Sequence, residues 1–515
     1  MVKRVMAAAA AAMMTVTCLA GCGGGKQAKD ADEKIKIFSG YLGNMTVGDD
    51  NSPIYKTLHE KLGIEIEPMS SNTNSNDAAT KLNVLLASGE VPDIFVSSGV
   101  DINNRQYTQW IKEGIVLPLS DYSKDYPNID NKLKQFDDLK ALEEGKHYFL
   151  PIYSYEGNNE TVGSSCTWIR KDWLKKLNLE MPKTTEDFIK VATAFAQNDP
   201  DGNGQNDTTG YSFSKVYGFP YDLFDTSYNR FKKVDGKWEP EVVSDNMKEA
   251  LKAFQKMYNS GAVDREFVIG PSCEDKFISG KAGMVSGKGM WYDDMYEKFK
   301  AAYPDKNPED MFCIMDDITN TSGYVRGNGQ DNYYLMTAVS GVSSEAKQKK
   351  SMKLLDYLLS DEGLKLMRYG VEGVNYEEKD GKITRTVPND EKTGRQKKMA
   401  AVDSVASLKS LVTWDSLFMY DDEPFKERRL EYSKHAIERD SKFPNPLRYL
   451  KLDEEKISNV KKKELETYFF ETATNMIINN EDIDSGFEKM KQEWYKRGGT
   501  AYVEEINAKA KEAGL

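Results

Sequence analysis

The chain has 515 residues, with 70 Lys and Arg against 82 Asp and Glu and a net charge of −12. Nucleic acid and anionic membrane surfaces both require a cationic face, so the acidic balance argues against them as partners. Length allows two large lobes or about three domains with ample core, and three widely spaced histidines (His59, His147, His435) argue against a His-based metal site.

Lys3 and Arg4 precede an apolar run from Val5 to about Cys18, which ends in Leu19-Ala20-Gly21-Cys22. A charged start, a short apolar core and small residues at a cut site make an export signal. The run falls short of the ~20 residues that span a bilayer, and no second long apolar stretch follows. The box ending in Cys22 resembles the lipobox of bacterial lipoproteins. That resemblance implies removal of residues 1–21, a lipid on the Cys22 thiol and an anchor on the extracellular face of the cell membrane. Cys166, Cys273 and Cys313 then remain. They are too far apart for a disulfide framework or zinc set and read as buried free thiols.

Residues 22–34 open with three glycines and continue polar, a flexible tether. Ile35-Lys36-Ile37-Phe38 alternates as a strand. Pro53 to Leu62 reads as a helix with Gly63 at C′, and Ile64 to Glu67 as a second strand. Asp77 to Ser88 is an amphipathic helix closed by Gly89, and Asp93 to Val96 a third strand. Strand, helix, strand, helix, strand opens a parallel α/β sheet. A second rhythm begins with the strand Thr167 to Arg170 and a short helix from Asp172 to Leu177. Thr184 or Thr185 then caps a helix burying Phe188, Val191, Ala192 and Phe195. A surface hairpin spans Val234 to Trp238, and a helix spans Asn246 to Tyr258. Gly283 to Ser286 is a strand, followed by a glycine loop, Gly287-Lys288-Gly289, and a helix carrying Trp291. Ala346 to Leu359 is helical, and from about Val402 the pattern is mostly helical. Two α/β bodies joined by several crossings fit this order.

Five stretches carry a family resemblance. Ala87 to Ile94 (ASGEVPDI), Ile169 to Leu177 (IRKDWLKKL) and Pro182 to Phe188 (PKTTEDF) are the first three. Phe277 to Met284 (FISGKAGM) and Tyr369 to Tyr376 (YGVEGVNY) complete the set. In this order, behind a lipobox, they resemble the extracellular solute-binding proteins of family 1, and the last resembles their large LipO-type and alginate-binding members. The resemblance implies a two-lobed, type II periplasmic-binding-protein-like α/β fold. Each lobe would be a mixed sheet flanked by helices, with a hinge and a helical C-terminal region. The expected N-terminal lobe is 35–160 plus 320–375, and the expected C-terminal lobe is 161–319 plus 376–515. It further implies a monomeric receptor that closes over a carbohydrate, an oligosaccharide by analogy with large members, and hands it to an ABC transporter permease.

Asp199-Pro200-Asp201-Gly202-Asn203-Gly204-Gln205-Asn206-Asp207 fits D-x-[DN]-x-[DN]-G. Asp199, Asp201, Asn203 and Asp207 would offer side-chain oxygens and Gln205 its carbonyl to a structural Ca²⁺. Position 12 holds Gly210 instead of Glu, and alginate-binding relatives place an acid where Thr208 stands, which weakens the site. The alternative is an Asx-rich turn without an ion.

Sugars present hydroxyls at the ring edge and C–H groups on the faces, so aromatic rings and planar polar groups bind them. Trp110, Trp173, Trp168 and Trp494 read as packing, and Trp238 is given no role. Trp291 and Trp414 are the candidate stacking residues, with packing as the alternative for each. Tyr41 and Ser98 follow the first and third strands, where ligand meets such sheets. Arg326 and Asn328 lie in the glycine-rich stretch Gly323 to Gly329, which reads as an edge-binding loop or a solvated one. A surface enzyme using paired carboxylates, or a receptor for peptide or another non-sugar solute, stands as the competing reading. No G-x-S-x-G, H-E-x-x-H or P-loop favours an enzyme.

Overall fold

The computed structural model describes residues 34–47, 52–69, 75–97, 105–141, 145–152, 165–269, 273–327, 335–391, 394–413, 420, 423–447, 450, 452 and 459–515. The strands, in chain order, are β1 (Ile35–Phe38), β2 (Ile66–Pro68), β3 (Ile94–Ser97), β4 (Phe149–Pro151), β5 (Ser165–Arg170), β6 (Thr209–Ser212), β7 (Phe231–Val234) and β8 (Lys237–Pro240). They continue with β9 (Ala282–Lys288), β10 (Phe312–Ile314), β11 (Met336–Val339), β12 (Tyr376–Lys379) and β13 (Lys382–Arg385). A five-stranded sheet runs β2-β1-β3-β11-β4 and a four-stranded sheet runs β10-β5-β9-β6; β7-β8 and β12-β13 are hairpins. Both sheets are mixed: β1 pairs parallel with β2 and β3, while β11 runs antiparallel to β3 and β4.

Each sheet is covered on both faces. In β3, Ile94 and Val96 enter one core with Ile35, Ile37 and Leu150, while Phe95 enters another with Phe38, Phe149 and Met336. In the second sheet Ile169, Tyr211 and Met284 pack on one side, and Trp168, Val285 and Phe312 on the other. Strands buried on both sides read as continuous apolar runs instead of alternating ones. The C-terminal helices Asn459–Ile478 and Ile483–Trp494 complete the second core with Phe469, Met476, Phe487 and Trp494. Each such side chain contributes roughly 1.5–3 kcal/mol on burial.

Local signals account for the helix ends. Ser52 caps helix Pro53–Leu62 by accepting from the Tyr55 N–H, Pro53 stands in its first turn, and Gly63 closes it at φ 64°. Thr184 and Asp187 form a reciprocal capping box on helix Thr185–Gln197, which buries Phe188, Val191, Ala192 and Phe195. The expected glycine loop after Ser286 is instead strand: β9 runs to Lys288, and Gly287 is there because the Trp168 indole takes the space of a side chain. A Cβ at Gly287 would lie 1.8 Å from Trp168 Nε1.

The expected lobe boundary needs one correction. Met399, Val405, Leu408 and Leu411 pack in the first core, so the segment 376–412 does not fall wholly in the C-terminal lobe. Asp403 holds it there, accepting from the Ser52 hydroxyl at 2.7 and 2.9 Å and from the N–H groups of Ile54 (3.2 Å) and Val405 (3.1 Å). The chain therefore passes between the two cores three times: after Ile152, before Leu335, and after Val412. Asp93 of the ASGEVPDI motif is also structural. Buried at 3 % exposure, it accepts from Lys36 N–H, the Ser343 hydroxyl and the Lys347 ammonium. Asp403→Ala would leave three buried donors unpaired and should destabilise the protein by about 3 kcal/mol. Chemical denaturation checks this, and a loss under about 1 kcal/mol would show that Asp403 does not hold the segment.

Candidate functional site

Sheets closed on both faces meet ligand at their strand ends. In the second sheet the parallel strands β6 and β9 end at Ser212 and Lys288. The antiparallel β5 starts at that same edge, with Cys166 opposite Gly287 and Thr167 opposite Ser286. The Met315 N–H donates to Thr167 O at 2.8 Å, which brings the end of β10 alongside. A cleft of about 680 Å³ opens there, lined by Cys166, Thr167, Ser286, Gly289 and Ile314. Its other walls come from the turns between β6 and β7 (Phe219, Tyr221, Asp222, Tyr228), from Arg326, and from helix Lys426–Asp440 (Tyr432, His435, Arg439). Aromatic rings and planar polar groups thus face one space.

The charged groups of the wall are mostly paired. Asp225, held at φ 53° and buried, accepts from Lys232 Nζ (2.8 Å), the Ser322 hydroxyl (3.0 Å), the Tyr324 hydroxyl and Arg326 Nη1 (3.0 Å). Burial works against its charge, but hydrogen bonds from Lys232, Tyr324 and Ser322 outweigh burial and lower its carboxyl. The other Arg326 nitrogen donates to Glu241 at 2.6 Å. Burial raises the Glu241 carboxyl, against the opposing charge of Arg326. Arg439 bridges Asp317 (3.1 Å) and Asp440 (2.8 Å), and Asp317 also meets His435 at 2.9 Å. Asp222 differs. Among the described residues its carboxylate has no ion pair and no side-chain hydrogen bond to another residue, and burial raises its carboxyl against the more distant Arg326 and Arg439. The Cys166 thiol is pushed up by burial and Cys313 up to about 11, also by burial, so neither is a nucleophile at neutral pH.

The structure places the residues singled out from sequence as follows. Arg326 lines the cleft, with its guanidinium engaged by Asp225 and Glu241. Trp291 is 46 % exposed at the start of helix Tyr292–Ala302, two residues beyond the cleft residue Gly289. Tyr41 lies just past β1, half-buried. Cys22, Ser98, Asn328 and Trp414 lie outside the described residues. Trp168, Trp173, Trp110 and Trp494 are core, at 1–5 % exposure. Sequence reasoning missed Asp222, Tyr228 and Tyr432, since they sit in irregular turns and on a helix some 200 residues away, without a shared motif.

The loop 199–207 folds onto its own donors. Asp199 accepts from the N–H groups of Gly202 (2.9 Å), Asn203 (3.1 Å) and Gly204 (3.0 Å). The Asn203 amide donates to Asp201 (2.8 Å) and Asp207 (3.1 Å), and its carbonyl accepts from Gln205 N–H (2.7 Å). Burial, the shared hydrogen bond with Asp199 and the Asp207 charge raise the Asp201 carboxyl. Among the described residues no three His, Cys, Asp or Glu side chains gather to hold a metal. A Cβ at Gly210 would lie 2.1 Å from Ala192 O, so the closing Glu of an EF-hand cannot stand there. The Thr208 hydroxyl turns inward to Phe195 O at 2.7 Å. The Asn203 amide thus donates to two of the carboxylates that the spacing assigns to an ion.

Residues 51–365 match the sequence model of the bacterial extracellular solute-binding protein family. The lipoprotein LipO of Bacillus subtilis is 28 % identical over 98 % of this chain and 97 % of its own length. The polygalacturonan/rhamnogalacturonan-binding protein YtcQ of the same species is 25 % identical over 84 % of this chain and 83 % of its own. A solved structure of the Streptococcus pneumoniae ABC-transporter substrate-binding protein FusA, an EF-hand mutant in complex with fructo-nystose, superposes with a TM-score of 0.64. It is 20 % identical and covers 94 % of this chain and 99 % of that one. The two sheets, their shared connections and these matches agree: the chain belongs to the bacterial extracellular solute-binding proteins, with their two-lobed type II fold.

Proposed function

We propose that this protein captures an oligosaccharide between its lobes and delivers it, chemically unchanged, to the permease of an ABC importer. The observation that carries the reading is the cleft at the end of the second sheet, where aromatic rings and planar polar groups converge in a chain of this family. YtcQ and FusA are carbohydrate-binding by name, which supports a sugar over a peptide. Closure follows if the ligand binds the shut form more tightly than the open one. Trp291 and Tyr41 are proposed as glycan contacts from opposite lobes, and Ser98, Trp414 and Asn328 join them from the sequence pattern. Arg326 shapes the second-lobe wall. Residues 35–152 with 335–412 and 165–327 with 425–515 are the proposed moving bodies. The receptor works as a monomer, carried outside the cell on a lipid at Cys22. Among the described residues no helix is long and apolar enough to cross a membrane.

The loop 199–207 is proposed as a low-affinity calcium site, reached only when the Asn203 amide swings out. Asp199, Asp201, Asp207, the Asn203 oxygen and the Gln205 carbonyl would then hold the ion. Without a closing carboxylate its affinity belongs with extracellular modules, with a dissociation constant of ~10⁻⁴–10⁻³ M.

Screening oligosaccharides by thermal shift, with product analysis, tests the main reading. A saturating glycan at about 100 times its dissociation constant should add ~2.7 kcal/mol of stability, and no bond should be cleaved. Trp291→Ala should cost ~1 kcal/mol or more of affinity with the fold intact. Cleavage, or affinity unmoved by that substitution in calorimetry, would remove the respective claim. Calcium titrated from micromolar to 10 mM should raise the melting temperature only above about 0.1 mM, and a flat profile ends the calcium proposal. Mass spectrometry of the membrane fraction should find Cys22 as the first residue with a diacylglyceryl group on its sulfur; an unmodified Cys22 thiol would refute lipidation there.

A further inference from the structure

We propose that the cleft selects uncharged oligosaccharides and rejects polyuronates, with Asp222 as the residue that sets this choice. The inference rests on the carbohydrate reading above and narrows it to a substrate class.

The argument begins with where the cations go. A uronate brings one carboxylate per sugar, and a buried carboxylate must be paired or bound by several donors. Guanidinium forks are the usual partners. Arg326 already serves Asp225 and Glu241 on two separate nitrogens, at 3.0 and 2.6 Å. Arg439 already serves Asp317 and Asp440. Arg230 lies close enough to Glu241 to lower that carboxyl. Among the side chains that the structure describes, no lysine lines the cleft. Arg326 and Arg439 are thus matched by acids behind or beside them, which lowers what they offer to an anionic ligand.

The acids tell the opposite story. Asp222 and Asp316 line the same cleft, and neither has an ion pair or a side-chain hydrogen bond to another residue among the described residues. Asp222 is the more enclosed of the two, and its desolvation raises its carboxyl even though Arg326 and Arg439 act on it from a distance. A desolvated carboxylate that lacks donors is an unfilled acceptor, and adjacent hydroxyls of a neutral sugar supply two O–H donors to it. A uronate carboxylate placed there shares a poorly screened space with the Asp222 carboxyl, and the two cannot both be ionised without cost. Tyr228 and Tyr432, on neighbouring walls, present ring surface that suits the C–H faces of the same sugar. The wall therefore fits polyol edges and apolar faces, and it repels anions.

The test is calorimetry on the purified mature chain with two panels: uncharged oligosaccharides (fructo-, malto- and manno-series) and oligogalacturonate and alginate oligomers. The expected result is binding to a member of the uncharged panel and affinity at least about 100-fold weaker for every uronate. Asp222→Asn should narrow that gap by about 10-fold or more, lowering affinity for the neutral glycan and raising it for uronates, at an unchanged melting temperature. Uronates bound as tightly as neutral glycans would overturn the inference and leave the sugar-receptor reading standing. A ratio unmoved in Asp222→Asn would overturn the role of Asp222. Binding to neither panel would overturn the receptor reading and this inference together. The wild-type comparison stands even if the variant folds poorly.

Discussion

Apolar cover on both faces of a sheet leaves water, and anything dissolved in it, only the strand ends. That constraint organises the whole molecule. Isoleucines and valines fill one side of the first sheet and phenylalanines the other; Trp168 and Phe312 seal one side of the second, Ile169 and Met284 the other. With both faces closed, the edge where β6 and β9 terminate is the place left for a cleft, and the turns after β6 and the helix Lys426–Asp440 fold over it. The cleft is a by-product of how the core is completed.

Charge is the second organising element. Asp225, Arg326 and Glu241 form a buried chain in which each partner makes the next tolerable. Removing one would strand an ion in a dry place. The chain fixes the segment around Arg326 to the second lobe through residues 101 and 85 positions distant. The same pairing engages two nitrogens of a guanidinium that lines the cleft. Asp403 does comparable work in the first lobe, where three donors converge on one carboxylate.

What could be read from the chain follows from range. Helix Pro53–Leu62 was legible because its cap, its proline and its closing glycine lie within twelve residues. The Thr184–Asp187 box marked helix Thr185–Gln197 for the same reason. Trp168 and Trp173 were legible as core from apolar neighbours. Strands β6, β10 and β11 were not, since three or four residues carry no period. The return of 399–412 to the first lobe depends on a contact between Ser52 and Asp403, some 350 positions apart, which no local pattern encodes. Arg326 could be placed in a candidate loop, but its two acidic partners could not. The 199–207 spacing pointed to calcium, whereas the Ala192 carbonyl that leaves no room for a side chain at Gly210 comes from a helix the spacing does not include.

The three passages of the chain between the two cores have a mechanical consequence. Two bodies joined by one strand can spin about it; joined by three, they resist torsion and keep a single easy bending axis. An extracellular protein also meets proteases, and a nick in one passage would leave its halves linked through the other two.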